Sequence, residues 1–351
     1  MTPGPRRTRV LVCEDSKTFA TALTRTLEHG GEIEVVGVRT SAEAAIADLQ
    51  KLAPDLITMD IELPGMSGLE AVEHIMSVRP TPILVLSSHV ASDSKMSAAA
   101  LAAGALDAVA KSDLSLTAPD GVAAVAFRRR VLMLSRARVI RHPRARLVRK
   151  GGRPSAVAPI REGTVVGICA STGGPQALLT VLSALPATYP IPILVVQHIA
   201  AGFTDGLAQW LDGVVPLPVR VAADGAPLEP GVTVAAEGAH LVLDGARLAL
   251  DRITPAGLHR PSADVLLRSI AAGAGAAGVA VVLTGMGRDG AAGLGEVERA
   301  GGLTIAQDEA TSAVFGMPKE AAKHGARLVL PVEEIAAALA AVTLGQRKKP
   351  Q

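Results

Sequence analysis

The chain has 351 residues, 49% apolar and only 2% aromatic, which suits about two domains with cores of Ala, Val, Leu and Ile and excludes disorder over most of its length. The formal net charge of +2 conceals unlike parts: residues 1–127 carry 10 basic and 16 acidic side chains, residues 128–153 carry 11 basic and none acidic, and the remainder carries 14 and 17. The total gives no electrostatic footprint for nucleic acid, and its distribution predicts two acidic blocks around a basic connector. Cys13 and Cys169 lie in apolar runs half a chain apart, arguing against a disulfide framework and for a reducing compartment, by default the cytoplasm. The first residues turn acidic at Glu14 before any long apolar stretch, unlike a signal peptide. The uncharged run from Ser269 to Gly287 is broken by five glycines, so it predicts a helix end and a buried strand rather than a membrane span.

From Arg9 onward, short apolar runs alternate with helix-period segments: VLVC, a helix from about Ser16 to His29, EVVGV, LITMD, PILVLSS and LDAVAK. This is the rhythm of a parallel, doubly wound sheet, with five strands before residue 112. Helix-forming residues up to about Arg141 then give way to a stretch rich in Pro, Gly and Arg, where the domain boundary is expected. A second series follows: VVGICA, ILVVQHI, VTVAAE, a hairpin from His240 to Leu250 turning at Asp244-Gly245, VAVVLTG, LTIAQD and RLVLP. Its strands are continuously apolar, as in sheets covered on both faces.

Ligands of such sheets sit beyond the carboxyl ends of the strands. In the first series those ends are Glu14-Asp15, Asp60, Ser87-Ser88 and Lys111. Converging carboxylates repel unless a hard divalent cation neutralises them, and an Asp beside such an ion can accept a phosphoryl group. A single acidic residue at a strand end is usually a solvated loop residue; five residues in this order are harder to dismiss. Residues 9 to about 125 resemble a response-regulator receiver domain. The resemblance implies Asp60 as phosphoacceptor, Mg²⁺ held by Glu14, Asp15, Asp60 and the Glu62 backbone, Ser87 as switch hydroxyl and Lys111 as phosphate partner. Ala108 and Ser112 stand where receivers commonly carry an aromatic residue and a proline.

In the second series, strand Val165–Cys169 runs into Ala170-Ser171-Thr172-Gly173-Gly174-Pro175 and then a helix. This loop exposes a hydroxyl and turns glycine amides and a helix N-terminus toward the same space. Alone it fits a helix cap or an anion loop equally well. His198 ends the next strand and Asp289 follows a later one, so a nucleophile, base and carboxylate could meet at one sheet edge; His240 and His259 compete for the base. A rival is dinucleotide binding, because GMGRDG from Gly285 to Gly290 spells GxGxxG between a strand and a helix, with Asp308 about twenty residues on. Arg288-Asp289 would place an acid beside the pyrophosphate, which weighs for the hydrolase. A nucleic-acid regulator using the basic connector would need a helix-turn-helix pattern or interleaved aromatics, neither of which is found.

Residues from about 163 to 331 resemble the catalytic domain of the chemotaxis response-regulator protein-glutamate methylesterases through CASTGGP, VVQHI, HRPSADVLLRS, VVLTGMGRDG and AQDEATSAVFGMPKEA. The resemblance implies Ser171 as nucleophile, His198 as base and Asp289 as its partner, with Thr172, Gly173 and Met286 as oxyanion-loop candidates. Glu237 replaces a Pro often found there. It further implies hydrolysis of glutamyl methyl esters on chemoreceptors, glutamine deamidation, no cofactor in the esterase domain, and phosphorylation by a chemotaxis histidine kinase that relieves a receiver covering the esterase cleft. The expected fold is α/β with two doubly wound parallel-sheet domains, a five-stranded receiver and a larger Rossmann-like hydrolase domain with a β-hairpin. The expected boundaries are an extension over 1–8, receiver 9–127, basic linker 128–162, catalytic domain 163–345 and tail 346–351. The linker is either a docking strap or a solvated helix face and flexible connector. Neither nucleic-acid binding nor membrane insertion is expected.

Overall fold

The computed structural model describes residues 6–88, 94–139, 163–255 and 259–344, which form two compact units. The first alternates β1 (Thr8–Cys13), α1 (Lys17–Glu28), β2 (Ile33–Arg39), α2 (Ala42–Leu52), β3 (Leu56–Asp60), α3 (Gly68–Val78), β4 (Ile83–Ser87), α4 (Ser94–Ala102), β5 (Asp107–Ala110) and α5 (Val122–Leu134). Its five strands are parallel in the order β2-β1-β3-β4-β5. Every residue of β3 and β4 is buried, which is why these runs lack the polar alternation of a one-sided sheet. Serines start the helices: Ser16 and Ser41 accept from Phe19 and Ala44 amides, and Ser67 forms a capping box with Glu70, satisfying amides that the first turn leaves open.

The expected helix up to Arg141 is corrected: α5 ends at Leu134. Its buried stripe of Phe127, Val131 and Leu134 stops there, and the Ser-Arg-Ala-Arg that follows has no apolar side chain large enough to hold another turn on the sheet. Arg128 donates to the carbonyls of Thr26 and Pro119, and Arg130 pairs with Asp107, so these two arginines of the basic stretch serve their own unit. The remainder of that stretch, from residue 140, lies outside the described residues.

The second unit runs β6 (Val165–Ala170), α6 (Gly174–Ser183), β7 (Pro192–Gln197), α7 (Thr204–Val214), β8 (Val219–Val221), β9 (Gly231–Val234), β10 (His240–Asp244), β11 (Arg247–Asp251), α8 (Ala263–Ala274), β12 (Gly278–Val282), α9 (Ala291–Arg299), β13 (Leu303–Gln307), α10 (Met317–Lys323), β14 (Leu328–Leu330) and α11 (Val332–Leu344). Seven parallel strands follow the order β14-β13-β12-β6-β7-β9-β8. Along β6, Val166, Ile168 and Ala170 join a core with α6, α7 and α11, while Val165 and Cys169 join one with α8, α9 and α10. The sheet is thus the middle of three layers. The short strand β8 was not foreseen: three half-buried residues carry little apolar signal. The hairpin closes through Gly245 and Ala246, with Asp244 opposite Arg247, one position later than expected. Gly245 takes the left-handed conformation at φ 57°. Among the described residues, no helix is long and apolar enough to cross a membrane.

Candidate functional sites

In the first sheet the strand order reverses around β1 and β3, which opens a crevice at their carboxyl ends. Glu14, Asp15 and Asp60 meet there with one oxygen of each within 4.8 Å of the others. Glu14 and Asp60 are buried and Asp15 is exposed. Lys111, at the end of β5, places Nζ 2.7 Å from Glu14 Oε2 and 2.7 Å from Asp60 Oδ2, and 4.8 Å from the Phe19 ring centroid. The Glu62 amide donates to Asp60 Oδ1 at 3.1 Å, and Ser87 lies buried at the end of β4. Burial raises the pKa of both Asp60 and Glu14 against the lowering effect of Lys111. Burial opposes charge on Lys111, but its bonds to Asp60 and Glu14 prevail and raise its pKa. One ammonium thus faces three carboxylates, an oxygen-only donor set with excess negative charge that fits a hard divalent cation. Ala108 is fully buried on β5, so the position of the usual aromatic is part of the packed sheet.

In the second sheet the switch point falls at β6, with β7 on one side and β12 on the other. The loops after these three strands carry Ser171, His198 and Asp289. The Ser171 loop is tight: the Gly174 amide donates to Ser171 O at 2.8 Å, and Gly173 caps α6 with φ 73°. A side chain at Gly173 would also meet the Ala313 methyl at 2.7 Å, so glycine is required by both conformation and space. Pro175 sits in the first turn of α6, as expected. Gln197 Nε2 bonds the carbonyls of Ser171 and His198 at 2.7 and 2.8 Å, tying the two loops together. Thr172 is buried and Met286 half-buried beside this turn.

His198 Nε2 lies 2.9 Å from Asp289 Oδ2. Asp289 also accepts from Ser262 Oγ at 2.9 Å and from the amides of Ala263, Asp264 and Gly290 at 2.8, 3.0 and 3.1 Å. Burial opposes its ionisation, but the His198 bond and the backbone amides prevail and hold Asp289 well below the usual carboxylate range. An ionised carboxylate can only accept, so Nε2 of His198 carries a proton, and Nδ1 is the ring nitrogen left to accept one. That Nδ1 is buried and makes no hydrogen bond among the described residues.

The competing histidines are separated by their surroundings. His240 is fully buried, bonded from Nε2 to Thr254 O and at Nδ1 to the Ser262 amide, both at 3.0 Å. His259 has its residue surface largely exposed but stacks its ring on His198, with centroids 4.2 Å apart and planes 15° apart; desolvation of the ring, with the neighbouring His198 second, lowers its pKa. The dinucleotide reading also loses its supports. A Cβ on Gly285 would fall 2.4 Å from Met317 Sδ and 2.8 Å from Ser171 Cβ, so that glycine admits protein rather than a pyrophosphate. Asp308 accepts from the amide and hydroxyl of Thr311 in its own loop. Cys169 is buried and its thiol pKa is pushed up by desolvation, leaving it a packed apolar residue. Glu237 is exposed.

Sequence reasoning missed the start of α8. Ser262 occupies its N-cap position without capping it, because the hydroxyl turns to Asp289 while the Asp289 carboxylate takes the Ala263 and Asp264 amides. Asp264 accepts in turn from the Gly290 and Gly293 amides at 3.0 and 2.7 Å. A Ser-Ala-Asp opening before an apolar run was the available signal for a helix start.

Residues 166–339 match the CheB methylesterase family and residues 10–116 the response regulator receiver domain. A protein-glutamate methylesterase/protein-glutamine glutaminase of Anaeromyxobacter dehalogenans is 44% identical over 344 residues, spanning 95% of this chain and 98% of its own. One of Myxococcus xanthus is 44% identical over 316 residues, spanning 88% of this chain and 89% of its own. The crystal structure of the Thermotoga maritima CheB methylesterase catalytic domain is 39% identical, covers 51% of this chain and 98% of that chain, and superposes with a TM-score of 0.49. The chain belongs to the family of protein-glutamate methylesterases/protein-glutamine glutaminases in which a response-regulator receiver precedes a CheB methylesterase domain, and it is a hydrolase of that family.

Proposed function

We propose that this chain hydrolyses methyl esters of glutamate side chains on chemoreceptor cytoplasmic domains, and the corresponding glutamine amides, with Ser171 as nucleophile, His198 as base and Asp289 as its fixed partner. The observation that carries the reading is the His198–Asp289 pair beside the Ser171 turn. It leaves Nδ1 of His198 as a buried, unpartnered base. In the first half-reaction Ser171 Oγ bonds to the ester carbonyl carbon while His198 takes its proton, and collapse expels methanol, which receives that proton. Water then attacks the acyl-serine by the same route, returning glutamate and free Ser171. With an amide, ammonia leaves instead. The loop amides around Thr172, Gly173 and Met286 are the candidates to hold the developing oxyanion.

Asp60 is the proposed phosphoacceptor, with a chemotaxis histidine kinase as donor, Lys111 as phosphate partner and Ser87 as the switch hydroxyl. Glu14, Asp15, Asp60 and the Glu62 backbone would hold Mg²⁺, which when bound offsets negative charge on the transferring phosphoryl group. The proposed boundaries are receiver 9–127, linker 128–162 and esterase 163–345, working in the cytoplasm, with phosphorylation raising esterase activity. Ser171→Ala is expected to abolish methanol release from methylated receptor while leaving Asp60 phosphorylation by a small-molecule phosphodonor intact. Retained turnover overturns the nucleophile assignment.

A further inference from the structure

Asp289 is held by five donors, three of which come from one short segment, Ser262 to Asp264. What holds that segment is therefore part of what orients His198. Upstream of it the loop leaves β11 through an Asp251 turn, whose carboxylate accepts from the Ile253 and Thr254 amides. Across the gap between Thr254 and Ser262 stands the fully buried ring of His240, at the first position of β10. Its Nε2 reaches Thr254 O and its Nδ1 reaches the Ser262 amide. A carbonyl needs a donor and an amide needs an acceptor, so only the neutral ring with its proton on Nε2 makes both bonds.

We propose that His240 is a positioning residue for the esterase site, bridging Thr254 and Ser262 and setting Ser262 and the start of α8 on Asp289. The inference rests on the proposed role of the His198–Asp289 pair. Every link is a hydrogen bond of ordinary length: Thr254 O to His240 at 3.0 Å, His240 to Ser262 N at 3.0 Å, Ser262 Oγ to Asp289 at 2.9 Å and Asp289 to His198 at 2.9 Å. Ser262 is itself buried, at 3% exposure, so water cannot replace the His240 bond at its amide. Arg260 donates to the same Thr254 carbonyl and to Arg252 O, whereas the Ser262 amide donates to His240. A spacer filling the core could be any apolar residue; a side chain that must accept at one end and donate at the other could not.

The test uses the full chain and methylated receptor. His240→Leu is expected to lower kcat about tenfold to a hundredfold, the loss of one buried hydrogen-bond partner converted to rate, with KM unchanged within about twofold. His240→Asn, whose short amide oxygen overlays Nδ1, keeps the Ser262 bond and loses the Thr254 bond, and is expected to recover most of kcat. In an Asp289→Asn background, His240→Leu is expected to cost no more than about twofold, because residues acting through one partner are not additive; capture of Ser171 by a fluorophosphonate reports the rate where turnover is too slow. Equal loss in Asn and Leu variants, or full loss of His240→Leu on top of Asp289→Asn, overturns the proposal, as does a lowered unfolding midpoint with unchanged kcat. If the Leu variant does not fold, His240→Gln, whose longer amide reaches the Nε2 position and so keeps the Thr254 bond while losing the Ser262 bond, takes its place alone and over Asp289→Asn with the same expected losses. Turnover retained by Ser171→Ala in the same assay would instead mark failure of the site assignment.

Discussion

Asp60 and Asp289 are both carboxylates at the carboxyl ends of parallel strands, both largely buried, each facing the switch point of its sheet, yet their acidities move in opposite directions. Asp60 has one amide and one ammonium to bond, with Glu14 and Asp15 as anionic company. Asp289 has five donors, three of them backbone amides. Burial pushes both upward; the number of fixed donors decides the outcome. The first arrangement leaves a carboxylate with charge to share with a cation and a phosphoryl group. The second holds a permanent anion that fixes one proton on His198 and frees its other nitrogen.

The contrast is broken most directly by Asp289→Asn, which puts an amide group among donors that need an acceptor. A loss of about 10³ to 10⁴ in kcat is expected, the scale seen when a triad carboxylate becomes an amide, with Asp60 phosphorylation unchanged. Steady-state methanol release checks it, and a loss below about tenfold would reduce Asp289 to a structural anchor.

The same substitution sharpens the contrast in stability. Because the folded pKa of Asp289 is depressed, its contribution is fully present above the unfolded value near pH 4 and is lost as pH falls through the lower folded value. The difference in unfolding free energy between wild type and Asp289→Asn is expected to be about 1.5–3 kcal/mol at neutral pH, the range for hydrogen bonds to a charged group, and to shrink only in strong acid. Urea titrations from pH 7 downward measure it. A difference that disappears already at pH 5 would contradict the depressed acidity.

At Asp60 the complementary probe is the cation. Mg²⁺ at tenfold over its dissociation constant is expected to stabilise the first unit by about 1.4 kcal/mol, and Glu14→Gln is expected to abolish most of that gain. Protection of β3 amides against hydrogen exchange, with and without Mg²⁺, reads the effect in that unit. Equal protection in both variants would remove Glu14 from the ligand set.

Much of this contrast could be anticipated from strand ends. Largely apolar runs such as LITMD and VVGICA announce strands covered on both faces, and the polar residue at the end of each run is the one placed over the crevice. The donors on Asp289 could not be anticipated in the same way. Two are amides of Ala263 and Asp264, whose residue types say nothing about the bond, and they lie 26 and 25 positions from Asp289. The roles of the three histidines were open for a related reason: spacing gives each a place near a strand end, and only the partner atoms separate a base from a clamp. The end of α5 was overestimated because helix propensity continues past Leu134 while the apolar stripe that holds the helix on its sheet does not.

A third carboxylate sets the lower bound of the comparison. Asp107, at the start of β5, pairs with Arg130 at 2.6 Å, but 32% of the arginine side chain is exposed. Water competes for such a pair, so Arg130→Gln is expected to cost at most about 1 kcal/mol, far less than removal of an Asp289 donor. Its neighbour Arg129 is exposed, and Arg129→Gln is expected to change stability by less than about 0.5 kcal/mol. Thermal unfolding of the two single variants measures both. The pair also bears on the basic stretch, since Arg128 and Arg130 are spent on carbonyls and a carboxylate of the first unit. Basal esterase activity that rises after Arg129→Gln at low salt, where an exposed charge acts over the longest range, would return a docking role to the one arginine of the three that the first unit leaves exposed; activity unchanged in that variant confines residues 128–130 to holding α5 in place.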